Sequence, residues 1–589
     1  MSSERPAVAE TEDDRYESLV ESILKYDGHL LVSGGAGSGK TTTALRKASQ
    51  IVDSGLLYPH SRVIFLSFAN ATINRVAQHA ATKVGLEQLP IIEFSTYHSF
   101  AWSIIRSHGY LLCSGRTVRI LSKGEQNAFE IDSIDDPDKK QEALRSLFRS
   151  TGLVALDLFA ELSNDVLELS ETLRKAYATA YPTIILDEFQ DTTESQWKLT
   201  RTLGVRSRLI ALGDPDQRIY EFAGASPERF PEFIEEFAPL EVDFAGFNWR
   251  SPEGSIAAYG RDILRGTVKN EEYPGVSLRG YDYPLYYDLK SSVLKAIARL
   301  RKMKRDWSIA ILVTSNGQSV QLYDYFRGTG DGLPPVFVDI HVGAEEASAA
   351  SIFVAAVLEC EDANDANLIV VISAFMEYLR TRSSKFSKES ARLCVQLEAQ
   401  IVKIEARGRT ERNLVAVAAL LDLLEGSLRA SRTGGASADQ LTTAALAAGS
   451  TFAPLKKVAA HARYINLVRR GSELEAQLST VWRATGAYRG AANLMRAAAL
   501  QHLLNSSKSA PSHVTVMTIH RAKGREFDEV FVYEGKFNPF TGKATPADLR
   551  NAKYNLNVAV TRARTRVRIF TPRANPSPLL LPELRSGTS

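Results

Sequence analysis

Four glycines lead into a lysine at Gly34-Gly35-Ala36-Gly37-Ser38-Gly39-Lys40-Thr41, which fits the pattern G-x-x-x-x-G-K-S/T. Glycines at these places let backbone N–H groups turn inward on phosphate oxygens, and a helix starting at the lysine adds its partial positive charge. Lys40 is then placed for the β- and γ-phosphates of a nucleoside triphosphate, and the Thr41 hydroxyl for a Mg2+ ion. The alternative is a plain glycine-rich turn. Two carboxylates, Asp187 and Glu188, close the apolar run YPTIIL. An Asp at a strand end can hold Mg2+ while an adjacent Glu orients and deprotonates a water; taken alone, the pair reads as a helix N-cap. Gln217, in the polar turn GDPDQRIY, is suited to sense a γ-phosphate. Arg250 in NWRS and Arg562 in VTRAR could neutralise charge on a phosphoryl group in transfer, although each arginine by itself reads as a surface or ion-pair residue.

The spacing of apolar residues predicts the elements that carry these groups. HLLV (29–32) is a short apolar run ahead of the glycine loop, and residues of helical periodicity follow the loop. The same alternation returns at 62–80, 183–203 and 208–220. Short buried strands alternating with helices predict a mostly parallel sheet covered on both faces. A second region of this kind begins at 307–326 and resumes at 513–520, 530–533 and 565–570. Within the first, residues 100–180 keep helical spacing, as in DLFAELSNDVLELSETLRKAYATA (157–180). Within the second, 355–505 is rich in Ala, Leu, Arg and Glu, with a helix at 413–430 and a loop at 431–440.

The fold class is therefore α/β, two domains each carrying a helical insertion. The expected division is a flexible tail over 1–25, a first domain over 26–99 and 181–265 around an insertion at 100–180, a second over 266–354 and 506–575 around an insertion at 355–505, and a tail over 576–589.

Length and composition bound what such a chain can be. At 589 residues it exceeds what one hydrophobic core serves. Its 44% hydrophobic and 9% aromatic content excludes a largely disordered chain. A net charge of only +3 means that any basic surface facing a polyanion must be local. Cys113, Cys360 and Cys394 have neither metal-ligand spacing nor a disulfide framework, which fits a reducing setting. The polar N-terminus lacks the apolar core of a signal peptide, and no run of ~18 apolar residues occurs. The expectation is a cytoplasmic protein with no membrane partner.

Taken in order, these segments resemble the UvrD/Rep/PcrA-like superfamily 1A DNA helicases. GGAGSGKT looks like motif I, LSFANATINRV like Ia, STYHSF (95–100) like Ib and LDEFQDT like II. GDPDQRIYEFAGA (213–225) resembles motif III, FNWRS IV, MTIHRAKGREFDEVFV (517–532) V and NVAVTRAR (557–564) VI. The resemblance spans about 30–572 and implies two RecA-like P-loop NTPase domains whose cleft binds ATP with Mg2+, and a single DNA strand running across both.

By position in those motifs, Gly34, Gly35, Ala36, Gly37, Ser38, Gly39, Lys40, Thr41 and Thr42 line the nucleotide. Asp187 joins Thr41 at the metal, Glu188, Gln217, Arg250 and Arg562 take catalytic roles, Glu526 approaches the ribose and Trp249 stacks on the base. Phe68, Asn70, Thr96, His98, Tyr220, Phe222 and His520 match strand-contacting positions, where aromatic faces stack on bases without regard to sequence. Phe68 and Phe222 read equally as core residues, and His98 or His520 as structural histidines.

The chain departs from the family pattern in three places. No Gln precedes Lys40 to read the adenine edge, and Thr42 stands where an Arg often lies near the base. Phe222-Ala223-Gly224 replaces Trp-Arg-Gly in motif III. The short stretch after Arg564 is expected to be too small for a fused nuclease. The resemblance implies an ATP-dependent single-strand translocase and 3′→5′ helicase acting on single strands and single/double-strand junctions in repair, recombination or defence. The alternative is a DNA-stimulated ATPase that senses strands and controls a separately encoded nuclease or other effector, docked through the 355–505 insertion.

Overall fold

The computed structural model describes residues 11–580 except 36, 69–72, 74–75, 78–79, 81–87, 122–125, 127–128, 130, 132–133, 135, 216–225, 227, 250–254, 269–272, 283–285, 304–305, 341–343, 382–387, 408–413, 433–451, 456–457, 459–472, 493, 496–512, 537–538 and 542–544. The chain folds as two compact units, one made of residues up to Leu111 with Phe159–Ile340 and Ala510 onward, the other of Leu112–Leu158 with His341–Ser509.

The first unit holds two six-stranded parallel sheets. In chain order the strands of the first are β1 (Leu30–Ser33), β2 (Val63–Ser67) and β3 (Ile92–Thr96), then, past a short pair β4 (Arg119–Ile120) and β5 (Leu153–Val154) in the other unit, β6 (Thr183–Leu186), β7 (Arg208–Gly213) and β8 (Leu240–Asp243). They lie in the order β3-β2-β6-β7-β1-β8. Residues of β2, β6 and nearly all of β1 and β7 are buried, so these strands are continuously apolar, as parallel strands covered on both faces must be. Because all strands run one way, their carboxyl ends share one edge, where ligand sites of such sheets lie.

The second sheet comprises β9 (Val276–Tyr281), β10 (Ile309–Val313), β11 (Asp339–Ile340), β12 (Val514–Thr518), β13 (Phe527–Tyr533) and β14 (Ala563–Pro572), in the order β11-β12-β10-β13-β14-β9. Two RecA-like sheets thus match the fold expected from the motifs.

The expected tail over 1–25 is corrected by α1 (Glu12–Lys25). Thr11 accepts the Asp14 N–H at 3.1 Å, and the Asp14 carboxylate accepts the Thr11 N–H at 3.2 Å, a capping box over an acidic first turn. Val20 and Ile23 enter the same core as Leu30, Val32 and Leu45, each burial stabilising by ~1.5–3 kcal/mol. Lys47 of α2 (Lys40–Asp53) donates to the Leu24 carbonyl at 2.6 Å, fixing the helix end. A polar first turn hides a helix held by Val20 and Ile23 in the core, by Tyr16, Leu19 and Leu24 packed against it, and by a cap.

Other boundaries also move. The helix Ser255–Arg265 does not belong to the first domain: Ile256, Tyr259 and Ile263 pack with Leu556 and Val560 on one face of the second sheet. The tail expected from 576 is anchored through Leu580, where the Ser577 N–H donates to Thr571 Oγ1 at 3.0 Å and Leu580 is buried in that same core. Residues 581–589 lie outside the described set.

The insertion expected over 100–180 shrinks to 112–158. The helix α3 (Tyr97–His108) and the helix Phe159–Leu169 are tied within the first unit by Trp102 stacked on Phe159 at 5.3 Å and by Ser163 Oγ donating to the Ala101 carbonyl at 2.9 Å. Helical spacing over 157–180 is interrupted at Ser170, which caps the next helix, Glu171–Ala180.

The second unit starts at His341 rather than 355. Ala350 and Phe353 of the helix Ala344–Glu359 share a core with Leu368, Phe375 and Leu420. The helix expected at 413–430 is found at Val415–Arg432 and takes in the first two residues of the loop expected over 431–440, the rest of which, 433–440, is outside the described residues. Among the described residues, no helix is long and apolar enough to cross a membrane.

Candidate active site

The glycine loop leaves the carboxyl end of β1, which lies one strand in from the edge of the first sheet, between β7 and the edge strand β8. The Gly34 N–H donates to the Gly213 carbonyl at 3.2 Å. A Cβ at Gly34 would come within 2.8 Å of Ser38 Oγ and 2.9 Å of Phe244 Cβ, so only glycine closes the turn here. Gly39, the N-cap of α2, has φ 96°, and a Cβ there would strike the Tyr16 hydroxyl. Lys40 Nζ lies across the loop, donating to the Gly34 carbonyl at 2.5 Å and to Gly35 at 2.9 Å. The first turn of α2, with Thr41 and Thr42, carries no acidic residue, which leaves its N-terminal field free for an anion. The buried Ser38 hydroxyl has no hydrogen-bond partner among the described residues.

Beside this loop stands Trp249, half exposed, its backbone N–H donating to the Gly37 carbonyl at 2.9 Å. Tyr16 of α1 meets the indole edge-on at 5.3 Å, packs against Phe244 and Phe247, and sets its hydroxyl 3.2 Å from Thr43 Oγ1. The structure therefore brings an aromatic corner to the phosphate loop from a segment that sequence patterning assigns to a tail.

Asp187 and Glu188 emerge from β6 one strand away from β2. The Asp187 N–H donates to the Leu66 carbonyl at 2.8 Å, and its carboxylate accepts from Ser67 Oγ at 3.2 Å. Glu188 adopts the left-handed conformation (φ 54°, ψ 39°), a strained backbone that turns its side chain away from the strand. Gln190 holds that carboxylate: its Nε2 donates to Glu188 Oε2 at 2.7 Å while its Oε1 accepts the Asp214 N–H at 3.1 Å. The charge opposite comes from the second sheet. Lys523, in the turn after the helix Ile519–Ala522, is ion-paired with Asp191 and lies 3.9 Å from Glu188, with both Lys523 and Asp191 buried.

Burial alone would raise the Glu188 carboxyl; the charge of Lys523, the Gln190 hydrogen bond and the charges of Arg562 and Lys40 outweigh it and hold the group below its ordinary range. Burial pushes Asp191 up to about 7, against the pull of Lys523 and with Glu188 and Asp214 adding to the rise. Arg562 is buried at the start of β14, where Nε donates to the Val558 carbonyl at 3.0 Å and Nη2 to Thr561 Oγ1 at 3.1 Å. Glu526 pairs with Arg564 at 3.4 Å.

The structure thus brings Lys40, Asp187, Glu188 and Arg562 into one electrostatic neighbourhood. Ala36, Asn70, Gln217, Tyr220, Phe222 and Arg250 lie outside the described residues. Of the remaining strand-contact candidates, Phe68 is half-buried against Tyr97, His98 is exposed and His520 half-buried. Burial, followed by the charge of Lys523, lowers the His520 pKa, favouring the neutral ring. Thr96 is buried, and its hydroxyl caps α3 by accepting the Ser99 N–H at 3.0 Å. Gln190, Asp191 and Lys523 escape the sequence reading although they stand inside LDEFQDT and HRAKGREF; a polar residue at a buried strand end is the signal that could have marked the first two.

A phosphate loop at the carboxyl edge of one parallel sheet, whose own carboxylates are met by basic groups from the second, defines a two-sheet P-loop protein. The UvrD/REP helicase N-terminal domain model matches residues 17–157 and 153–238, and the UvrD-like helicase C-terminal domain model matches 451–572. The chain belongs to the UvrD/REP helicase family. It is similar to the ATP-dependent DNA helicase PcrA of Staphylococcus epidermidis and to that of Staphylococcus aureus, in each case 24% identical over 356 residues, 52% of this chain and 48% of the relative. The chain spans about half the length of the curated relatives it matches.

Proposed function

We propose that this protein is a DNA-dependent ATPase that uses hydrolysis to move along single-stranded DNA in the 3′→5′ direction and to unwind duplex at junctions. The polarity follows from the family resemblance. One observation carries the reading: Lys523 from the second sheet is buried against Glu188 and Asp191 of the first, at the edge where the phosphate loop ends. A site assembled from both sheets is one whose chemistry can be tied to relative movement of the sheets.

The loop amides and Lys40 bind the β- and γ-phosphates, and Arg562 adds charge where negative charge builds up on the transferring phosphoryl group. Glu188, kept ionised and held by Gln190, takes the proton from a water attacking the γ-phosphorus. Gln217 and Arg250 join it through the resemblance alone. The buried Asp187 carboxylate and the Thr41 hydroxyl are hard oxygen donors that fit Mg2+, which when bound neutralises phosphate charge. Trp249 offers the base an exposed stacking face, and Glu526 lies toward the ribose. Phe68, Asn70, Thr96, His98, Tyr220, Phe222 and His520 form the strand-binding set, in which the buried Thr96 acts through the shape of the α3 start.

The test measures ATP hydrolysis with and without oligothymidylate, and strand displacement on forks with 3′ or 5′ tails. Strand-stimulated hydrolysis and displacement from the 3′-tailed fork are expected, and Lys40→Ala or Glu188→Gln should lower turnover by about 100-fold or more without unfolding the chain. Normal turnover in either variant removes the site assignment. Hydrolysis without displacement points instead to a regulatory ATPase serving a separately encoded nuclease, repair or defence protein.

A further inference from the structure

Three neighbouring strands end side by side: β6 runs into Asp187, β2 into Ser67 and Phe68, and β3 into Thr96 and Tyr97. Leu66 pairs with Leu186 and Ser67 with Thr96, so the order across this edge is fixed by register. Phe68 stacks on Tyr97 with ring centroids 4.7 Å apart and an interplanar angle of 33°. Tyr97 is 4% exposed, yet its hydroxyl makes no hydrogen bond among the described residues. A buried hydroxyl without a partner carries a desolvation cost that a phenylalanine filling the same space would not.

The charges that act on it are negative. After burial itself, the influences on the phenol are the charges of Asp187, Asp191 and Glu188, which hold it protonated well above its ordinary range. Protonated, it is a hydrogen-bond donor that feels the charge of three carboxyl groups at the end of β6 in the same sheet.

We propose that Tyr97 is a positioning residue for hydrolysis: its ring backs Phe68 on the strand-binding face, and its hydroxyl donates to an oxygen held over Asp187 and Glu188 when a base loads Phe68. The inference rests on the reading of Phe68 as a strand contact and Glu188 as the base. A close-packed ring pair transmits a push rather than absorbing it, since side chains at interior density have little room to compress. Stacking on the outer side of Phe68 therefore turns the phenol, and a donor aimed at the attacking water or a carboxylate oxygen orders the reacting groups. One hydroxyl then ties strand binding to turnover without touching either the polynucleotide or the phosphate loop.

The experiment uses the full chain and Tyr97→Phe, which removes only the oxygen. Oligothymidylate-stimulated kcat for ATP should fall about tenfold, while KM for ATP and Kd for the oligonucleotide stay within about twofold of wild type, the pattern of a group that acts in the transition state alone. The melting temperature should hold or rise, because an orphaned polar atom has been removed. An unchanged stimulated kcat, or a fall in melting temperature that marks a structural partner for the hydroxyl, overturns the proposal. Wild-type protein that hydrolyses ATP without stimulation by the strand overturns the reading beneath it as well, whereas normal stimulation in both proteins overturns this inference alone.

Discussion

Lys523 and Asp191 form a pair whose members are both removed from water, and such a pair is held by its mutual attraction against two desolvation costs. Taking away the ammonium leaves a buried carboxyl with no counter-charge and strips Glu188 of its chief lowering influence. Lys523→Met should therefore destabilise the chain by roughly 3–5 kcal/mol. Adding Asp191→Leu should restore most of that stability, since an apolar pair of similar volume suits a buried site. Turnover should stay depressed by about tenfold or more in both variants, because Glu188 still lacks its counter-charge. Denaturant melts and strand-stimulated hydrolysis check this together; a double variant that regains stability and turnover alike makes the ammonium a purely structural group. Lys40, Asp187 and Glu188 are legible because each belongs to a local pattern with a mechanism. Lys523 is not, because what gives it meaning is a partner 332 residues away, brought close by the packing of two sheets.

At the scale of elements, the start of β1 depends on a histidine that must stay neutral. The Leu209 N–H donates to His29 Nδ1 at 3.1 Å, joining the approach to β1 with β7, and the ring packs on Phe237 at 4.7 Å. Burial lowers the His29 pKa, and the charge of Arg208 lowers it further. A histidine depressed in the fold binds its proton more readily when unfolded. The contribution is whole above the unfolded value of about 6.5 and is lost as pH falls through and below it. Thermal melts from pH 7.5 to 5.5 should show a steeper loss in wild type than in His29→Asn, whose amide oxygen can accept the same N–H without titrating. Parallel curves would mean that protonation of His29 does not limit stability in this range. The elements themselves were largely readable, as runs such as VIFL and TIIL admit few alternatives between glycine-rich and polar stretches. Assignment of helices to sheets was not: the apolar stripe of Ser255–Arg265 looks the same whichever sheet it covers, and α1 was obscured by an acidic first turn that in fact begins the helix.

For the whole molecule, the order of motifs along the chain fixed the two-sheet plan, because each motif needs a strand end and the strand ends must share one edge. What it left open is how the strand is gripped, since a net charge of +3 gives no overall field for a polyanion. His520 separates two kinds of grip. Its ring is half-buried, and its lowered pKa keeps it uncharged at neutral pH, so any hold it has on a strand comes from the ring and its hydrogen bonds rather than from charge. Removing a cation that neutralises one phosphate flattens the plot of log K against log salt by about 0.7 for single strands. Removing a neutral stacking contact instead lowers affinity by roughly 1–3 kcal/mol at every salt concentration. His520→Ala should behave in the second way at pH 7.5: oligothymidylate binding measured from 50 to 300 mM salt, a range chosen to bracket roughly physiological screening, should give a weaker but parallel line. A slope reduced by about 0.7 would mean that the imidazole carries charge when the strand is bound, and that the strand, by drawing a proton onto the ring, reverses the effect of burial and of Lys523.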